Sequence, residues 1–439
     1  MARNICVVGV GYVGLATAIG LADFGNYVIA IDIDQSKIQK LQNGNMIIYE
    51  PGLQELLTRN TSANRLKFTN SLKDALDNSE VVFIAVGTPE NDNGDGSVDI
   101  QYVENAVNDV IQNSNSYKVL VIKSTVPVGY NRKVNERIKK ANRDMDVVSN
   151  PEFLREGKAV YDFFHPDRVV IGTDSEKAKE IMRDVYRTLN RINVPFLWTD
   201  WESAELIKYA SNGFLAIKIA YINQLACLAE EIGADIISIA KGMGMDGRIG
   251  PKFLHAGPGY GGSCFPKDTK ALSAISHKFG VPITIIDAVI EANKKQKMRI
   301  VERLKKRMPN ISGKTIGILG LAFKAETDDI RESPAIDIVN ELLKLGAIVK
   351  VHDPQAMHNF KEKYGDKVSY CNNEYEASKD ADALLILTEW NEYRSLDLRR
   401  IKSAMKSPYI FDTRNVLDRD ELNELGFNFD LIGQKTMEA

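Results

Sequence analysis

Cys264 stands in the run Gly261-Gly262-Ser263-Cys264-Phe265-Pro266-Lys267-Asp268, and Gly9-Val10-Gly11-Tyr12-Val13-Gly14 lies near the start of the chain. The second run has the glycine spacing of a dinucleotide-binding turn. A nicotinamide cofactor alone takes an alcohol to an aldehyde or ketone. A thiolate beside it can capture the aldehyde as a thiohemiacetal, which can lose a further hydride and become a thioester. Hydrolysis then releases an acid. The two runs together point to four-electron oxidation of an alcohol to a carboxylic acid on one enzyme. Cys6 and Cys227 read as small core hydrophobes, whereas glycines and charges surround Cys264.

Gly9 permits a tight turn, Gly11 lets the backbone approach a pyrophosphate, and Gly14 allows a helix to pack closely on a strand. Asp32, ending the next apolar run, can accept ribose hydroxyls and repels a 2′-phosphate, which favours NAD over NADP. Lys37 fits a ribose contact or an exposed helix position equally. Gly87-Thr88-Pro89 and Ser124-Thr125-Val126-Pro127 each follow an expected strand, where a doubly wound sheet lines its ligand crevice. Either is also ordinary turn chemistry.

Asn150-Pro151-Glu152-Phe153-Leu154-Arg155-Glu156-Gly157 reads as a compact helix start, with Asn150 as N-cap and Pro151 at the first helical position. Glu152 and Glu156 would then face one site. For Glu152 alone, complementing the helix dipole is the simpler reading. Lys208 and Asn212 share a face of a long helical stretch and could stabilise an oxyanion; in isolation they suit a solvated helix face. Gly213, inside that stretch, implies close approach of something to the backbone. Gly257, Gly259, Gly261 and Gly262 suggest a flexible loop able to wrap a ligand. Within it, Lys267 favours a thiolate and Asp268 could order a water or accept a proton.

A chain of 439 residues needs more than one core to carry these groups, so two or three domains are expected. Short apolar runs at 5–8, 27–31, 81–86, 119–122 and 169–171 alternate with amphipathic stretches at 36–42 and 103–111, the pattern of a doubly wound α/β sheet. Residues 201–232 contain no proline and would form a rod of about 48 Å, too long for a crossover. Helical stretches are expected at 236–241, 269–279 and 283–306. A second series comes after them, with strands at 315–319, 348–352, 383–387 and 409–411 and a helix at 335–345. It carries Gly317-Ile318-Leu319-Gly320-Leu321-Ala322-Phe323-Lys324 in place of the dinucleotide glycines, which suggests a different ligand on a related scaffold.

Hydrophobic and charged contents of 44% and 26% are ordinary for a soluble protein, and a net charge of -3 favours neither nucleic acid nor a membrane surface. Cys6, Cys227, Cys264 and Cys371 lie far apart and the five histidines show no ligand spacing. Neither a disulfide scaffold nor a metal site is expected, and a reducing cytoplasm fits. The run 5–22 could pass for a secretory leader, but its glycines keep the dinucleotide spacing and Asp23 interrupts it. No other run is long enough to span a bilayer.

Together these stretches resemble the UDP-glucose/GDP-mannose dehydrogenase family over nearly the whole chain. The matching residues are Ile48-Tyr49-Glu50-Pro51-Gly52-Leu53, the Thr125 loop, Asn150 to Gly157, Pro166-Asp167-Arg168, Lys208 with Asn212, the Cys264 loop and Arg331-Glu332-Ser333. Tyr130 and Ile47 depart from the family's frequent choices. The resemblance implies two Rossmann-like doubly wound domains joined by a long central helix and a helical dimerisation region. NAD would lie on residues 1–199, dimerisation and the cysteine loop on 200–311, and UDP on 312–439.

The same resemblance makes Cys264 the nucleophile, with Glu152 assisting the water that hydrolyses the thioester. Lys208 and Asn212 would hold the oxyanion, while Asp268 and Thr125 position water and protons. NAD would be surrounded by Gly9, Gly11, Val13, Gly14, Asp32, Lys37, Thr88, Thr125, Glu156, Lys267 and Arg331. The UDP-sugar would meet Glu152, Phe153, Leu154, Arg155, Glu156, Lys208, Asn212, Phe253, Leu254, His255, Ala256, Gly257, Gly261 and Lys324. Arg248 would reach across a homodimer interface. The implied reaction is oxidation of UDP-glucose to UDP-glucuronate with two NAD and no metal.

Three rivals stand beside it. One is a relative acting on an N-acetylated UDP-hexosamine. Another is a hydroxyacid dehydrogenase of the 6-phosphogluconate type, which leaves Cys264 unexplained. The third is an NAD-sensing regulatory protein, which leaves the retained nucleophile, both glutamates and the Lys208–Asn212 pair unexplained.

Overall fold

In the first unit, Met1–Ser211, eight strands form one sheet: β1 (Asn4–Val8), β2 (Tyr27–Ile31), β3 (Leu66–Thr69), β4 (Val81–Ile84), β5 (Lys118–Ile122), β6 (Met145–Ser149), β7 (Val169–Gly172) and β8 (Phe196–Thr199). Their order is β3-β2-β1-β4-β5-β6-β7-β8. Every pairing is parallel except that of β6 with β7. Alternate residues of the central strands serve two cores. Ile5, Val7, Val81, Phe83, Val119 and Val121 join the helices Tyr12–Asp23, Leu53–Ser62 and Glu176–Val185 on one face. Cys6, Val82, Ile84, Leu120 and Ile122 join Gln101–Asn113 and Tyr130–Lys140 on the other. Burial on both faces is why these strands read as unbroken apolar runs.

The computed structural model describes residues 1–435, so the second unit, Asn212–Ala439, is described up to Lys435, and residues 436–439 of the expected third domain lie outside the described residues. Its sheet contains β9 (Thr315–Leu319), β10 (Ile348–His352), β11 (Ser369–Tyr370), β12 (Ala383–Ile386), β13 (Tyr409–Asp412) and β14 (Asn428–Leu431). All are parallel, in the order β11-β10-β9-β12-β13-β14. The helix Trp201–Ile232 contains the boundary between the units, and Ile236–Gly244, Phe265–Lys278 and Thr284–Arg307 come after it. Gly213 answers to packing: a Cβ there would lie 3.1 Å from Leu272 and from Ile286.

Both sheets use the same device after their first strand. Gly9 turns at φ +98° and donates to Ile31 O at 2.8 Å, and Gly320 turns at φ +99° and donates to His352 O at 2.9 Å. The next N–H, of Val10 or Leu321, is held by the aspartate directly after the neighbouring strand, Asp32 at 2.8 Å or Asp353 at 2.7 Å. Beyond that residue the two turns diverge. In the first unit a helix starts at once at Tyr12; in the second none starts before Pro334–Lys344. Only the first turn therefore offers a helix N-terminus to an anion. Among the described residues no helix is long and apolar enough to cross a membrane, and no group of His, Cys, Asp or Glu could hold a metal.

Candidate active site

The first unit presents the glycine-rich turn with an open front. Gly11 is the N-cap of Tyr12–Asp23, has no side-chain cap, is exposed, and a Cβ on it would meet nothing within 4 Å. The helix's first N–H groups are thus left for a ligand, and negative charge is favoured there. Behind, space is tight: a Cβ on Gly14 would lie 2.0 Å from Gly9 O, and one on Gly9 2.7 Å from Ala85 O. Asp32 accepts from Val10 N at 2.8 Å and Asp34 N at 2.9 Å, which leaves acceptor capacity for a ribose hydroxyl. These residues fit a dinucleotide. Val13, Lys37, Thr88 and Thr125 are all half-buried. The loops bearing Thr88 and Thr125 start side by side, with Ser124 Oγ donating to Val86 O at 2.7 Å.

The segment after β6 corrects one expectation. Residues 151–155 form no helix, and the next one is Ala159–Phe164. Asn150 cannot cap because its side chain donates to Val170 O at 2.8 Å and accepts from Tyr186 at 2.6 Å. Side chains instead hold the segment's backbone donors, Glu152 taking Leu154 N at 2.6 Å and Asp162 taking Arg155 N at 2.9 Å. Asp162 also accepts from the Arg155 guanidinium at 2.8 Å, and Glu156 is half-buried.

Lys208 is buried, and its Nζ lies 2.7 Å from Glu152 Oε1 and 2.8 Å from Glu152 O. It is no solvated helix face. Phe153 sits with the Arg168 guanidinium 3.7 Å from its ring centre and Lys208 Nζ at 5.5 Å. Sequence reasoning missed Lys123, which is buried near this pair. Burial pushes its pKa down to about 8, against the pull of Glu152 and with the help of Lys208. A lysine directly before the Thr125 loop was the only signal.

In the second unit Cys264 is the N-cap of Phe265–Lys278, half-buried, with Ser263 Oγ 3.6 Å from its sulfur. A helix N-terminus favours a negatively charged sulfur. One turn on, the buried Asp268 accepts from Asn212 Nδ2 and from Lys267 Nζ, both at 2.6 Å, while its N–H donates to Cys264 O at 2.8 Å. Asn212 is itself buried.

The glycines before Cys264 are not a flexible strap, and this too corrects the sequence reading. Gly257, Gly259, Gly261 and Gly262 are buried. A Cβ on Gly261 would lie 2.3 Å from Glu332 O, and one on Gly262 2.8 Å from the Phe323 ring. Buried amides fasten the loop: Asn223 Oδ1 accepts from Gly257 N at 2.8 Å, Gln296 donates to Gly257 O at 2.8 Å, and Asn293 bonds both N and O of Tyr260 at 2.8 and 3.0 Å. Close packing is their purpose here.

Phe253 holds a left-handed φ of +64°, while Leu254 and Ala256 turn into the core and His255 is exposed. Lys324 Nζ lies 5.4 Å from the Phe323 ring centre. Arg414, which sequence reasoning did not single out, donates to Phe323 O at 3.1 Å, and a Cβ on Gly257 would meet its guanidinium at 3.1 Å. Arg331 is exposed and forks onto Asp329 at 2.7 and 2.9 Å, its carbonyl accepting from Gly262 N at 2.8 Å. Arg248 is exposed and pairs with Asp246 at 2.6 Å.

Comparison with known proteins matches residues 3–190 to the NAD binding domain of the UDP-glucose/GDP-mannose dehydrogenase family, 202–295 to its central domain and 317–419 to its UDP binding domain. A UDP-glucose 6-dehydrogenase of Bacillus subtilis is 45% identical over 98% of this chain and 93% of its own. One from Rhizobium meliloti is 46% identical over 98% and 99%. Among solved structures, a UDP-glucose dehydrogenase from Pyrobaculum islandicum superposes with a TM-score of 0.89 at 39% identity, covering 95% of each chain. A UDP-D-ManNAc dehydrogenase from Pyrococcus horikoshii gives 0.86 at 28% identity, over 99% of this chain and 100% of that one.

Proposed function

The chain belongs to the UDP-glucose/GDP-mannose dehydrogenase family, and we propose on that premise that it oxidises UDP-glucose to UDP-glucuronate with two NAD consumed. The observation that carries this reading is Cys264 at the head of a helix, one turn before an aspartate already held by Asn212 and Lys267. Hydride loss alone stops at an aldehyde. A thiol so placed gives that aldehyde a covalent route onward.

NAD, when bound, supplies the hydride acceptor for both oxidations. Gly9, Gly11, Val13, Gly14 and Asp32 are assigned to hold it, with Lys37, Thr88, Thr125, Glu156, Lys267 and Arg331 around them. The Cys264 sulfur bonds the aldehyde carbon while Lys208 and Asn212 donate to the oxygen that gains charge. Oxidation of the thiohemiacetal leaves a thioester. Glu152 assists the water that breaks its C–S bond, returning the thiol and releasing the carboxylate, with Asp268 and Thr125 positioning water and protons. The UDP-sugar is assigned to the residues from Glu152 to Glu156, the Phe253 to Gly257 loop, Gly261 and Lys324, and Arg414 joins them through its hydrogen bond to Phe323 O and its place facing Gly257. The matched domains support a division of labour in which 1–199 hold NAD, 200–311 carry the nucleophile and 312–439 hold UDP.

Counting NADH per mole of UDP-glucose consumed tests the reading, and two are expected. One NADH would mean a single hydride transfer and overturn it. The N-acetylated hexosamine alternative is not favoured, because the relatives at 45 and 46% identity are UDP-glucose 6-dehydrogenases whereas the mannosamine enzyme stands at 28%.

The enzyme is proposed to work as a homodimer in the cytoplasm. Phe214, Tyr221 and Leu228 recur at seven-residue spacing along Trp201–Ile232 with 62, 51 and 53% exposure, an apolar stripe suited to a second copy. Arg248 would cross that interface. Sedimentation of the full chain should return a dimer, and a monomer at micromolar concentration would refute it. A thiol nucleophile suits a reducing compartment.

A further inference from the structure

Glu50 is a buried carboxylate that no step of the proposed reaction uses. It lies between the helices Gln35–Gln42 and Leu53–Ser62, 6% exposed, and three donors converge on it. Tyr12, the first residue of the helix behind the dinucleotide turn, donates its hydroxyl to Glu50 Oε2. Gly157 N donates to the same oxygen at 2.7 Å, and Ala159 N to Oε1 at 2.8 Å. Gly157 N also lies 3.1 Å from the Tyr12 hydroxyl, which closes a triangle. Burial raises the pKa of both Glu50 and Tyr12.

Two segments of the site flank this triangle. Tyr12 is one residue past Gly11, where the helix N-terminus is open to an anion. Gly157 ends the segment 151–157, which has neither helix nor strand pairing and depends on side-chain acceptors for its backbone donors. Gly157 N and Ala159 N can only donate and Tyr12 donates its hydroxyl, so both carboxyl oxygens of Glu50 serve as acceptors. Removing that acceptor would strand buried N–H groups on the segment and free the tyrosine on the helix.

We propose that Glu50, through Tyr12, is a positioning residue that makes occupancy of the dinucleotide turn and order in the segment 151–157 favour one another. The proposal rests on the functional reading above, in which that segment meets the UDP-sugar. Coupling of this kind is reciprocal: each ligand tightens the other by the same factor, commonly about 5-fold or more.

Calorimetry on the full chain can measure that factor without turnover, using NADH and UDP-glucose, each titrated with and without the other. The wild type should show mutual tightening of about 5-fold or more. Glu50→Gln, which puts a donor where an acceptor is needed, should bring the factor close to one. Tyr12→Phe, which deletes a single hydroxyl, should lower it by a smaller amount. A purely structural role would lower the melting temperature and leave the factor alone. An unchanged factor in folded Glu50→Gln overturns the proposal, as does a wild-type factor of one. If Glu50→Gln does not fold, Tyr12→Phe decides by the same criterion. The activity reading fails separately, on the NADH count, and NADH binding to the turn stays measurable in that case.

Discussion

Cys264→Ser should make no UDP-glucuronate, its kcat falling by at least about 10³-fold, the scale at which removal of a nucleophile acts. The hydroxyl that replaces the thiol is a far weaker nucleophile at neutral pH, and the ester it would form is a poorer electrophile than a thioester. The site also protects the experiment from a trivial outcome. Cys264 is the N-cap of Phe265–Lys278, a position where serine is among the preferred residues. The variant should therefore fold and still bind UDP-glucose. Chromatographic quantification of acid product checks it, and turnover within tenfold of the wild type would remove the covalent mechanism.

Lys208→Met should cost up to about 3–5 kcal/mol of stability in addition to activity, because it removes the ammonium bonded to the buried Glu152 carboxylate and leaves Lys123 alone to favour that charge. Glu152→Gln with Lys208→Met should cost less than the two single changes together, since the pair is then removed as a unit. Lys123 should behave in the opposite sense. Its folded pKa, about 8, lies below the ordinary lysine value of 10.5, so between those values the unfolded chain holds a proton that the folded chain has released. Stability from this group therefore rises with pH across that window, and below about 8 the buried charge is a liability. The groups that act on its charge are Glu152, which favours it, and Lys208, which opposes it. Lys123→Met should stabilise the protein at pH 7 by at most about 3 kcal/mol, an advantage that fades as pH approaches 10.5. Urea midpoints of both proteins at pH 7 and pH 10 are the measurement. An equal offset at the two pH values would show that Lys123 is not the titrating group.

The strands legible in the sequence share one property. β1, β2, β9 and β10 lie within their sheets, and their apolar runs end within a residue of the observed bounds. The strands that sequence reasoning missed include β3, β8, β11 and β14, the four edges of the two sheets. An edge strand can carry polar residues such as Lys67 or Asn428, so its run is broken and short. β6 was missed for a related reason, as Asp146 interrupts it and accepts hydrogen bonds from Tyr117 and Ser175.

The site divides along the same line. The glycine turn and the aspartate closing it were readable, because short stretches carry them. Which group would face which was not. Lys208 meets Glu152, and Asn212 meets Asp268, each across 56 residues of chain. Glu50 reaches Gly157 across 107. Periodicity relates residues only a few positions apart, so these partnerships, the burial of Lys123 and the unwound segment after Asn150 were left to the tertiary structure. There a distant acceptor can satisfy a backbone donor as well as a helix does, and so can decide whether the helix forms at all.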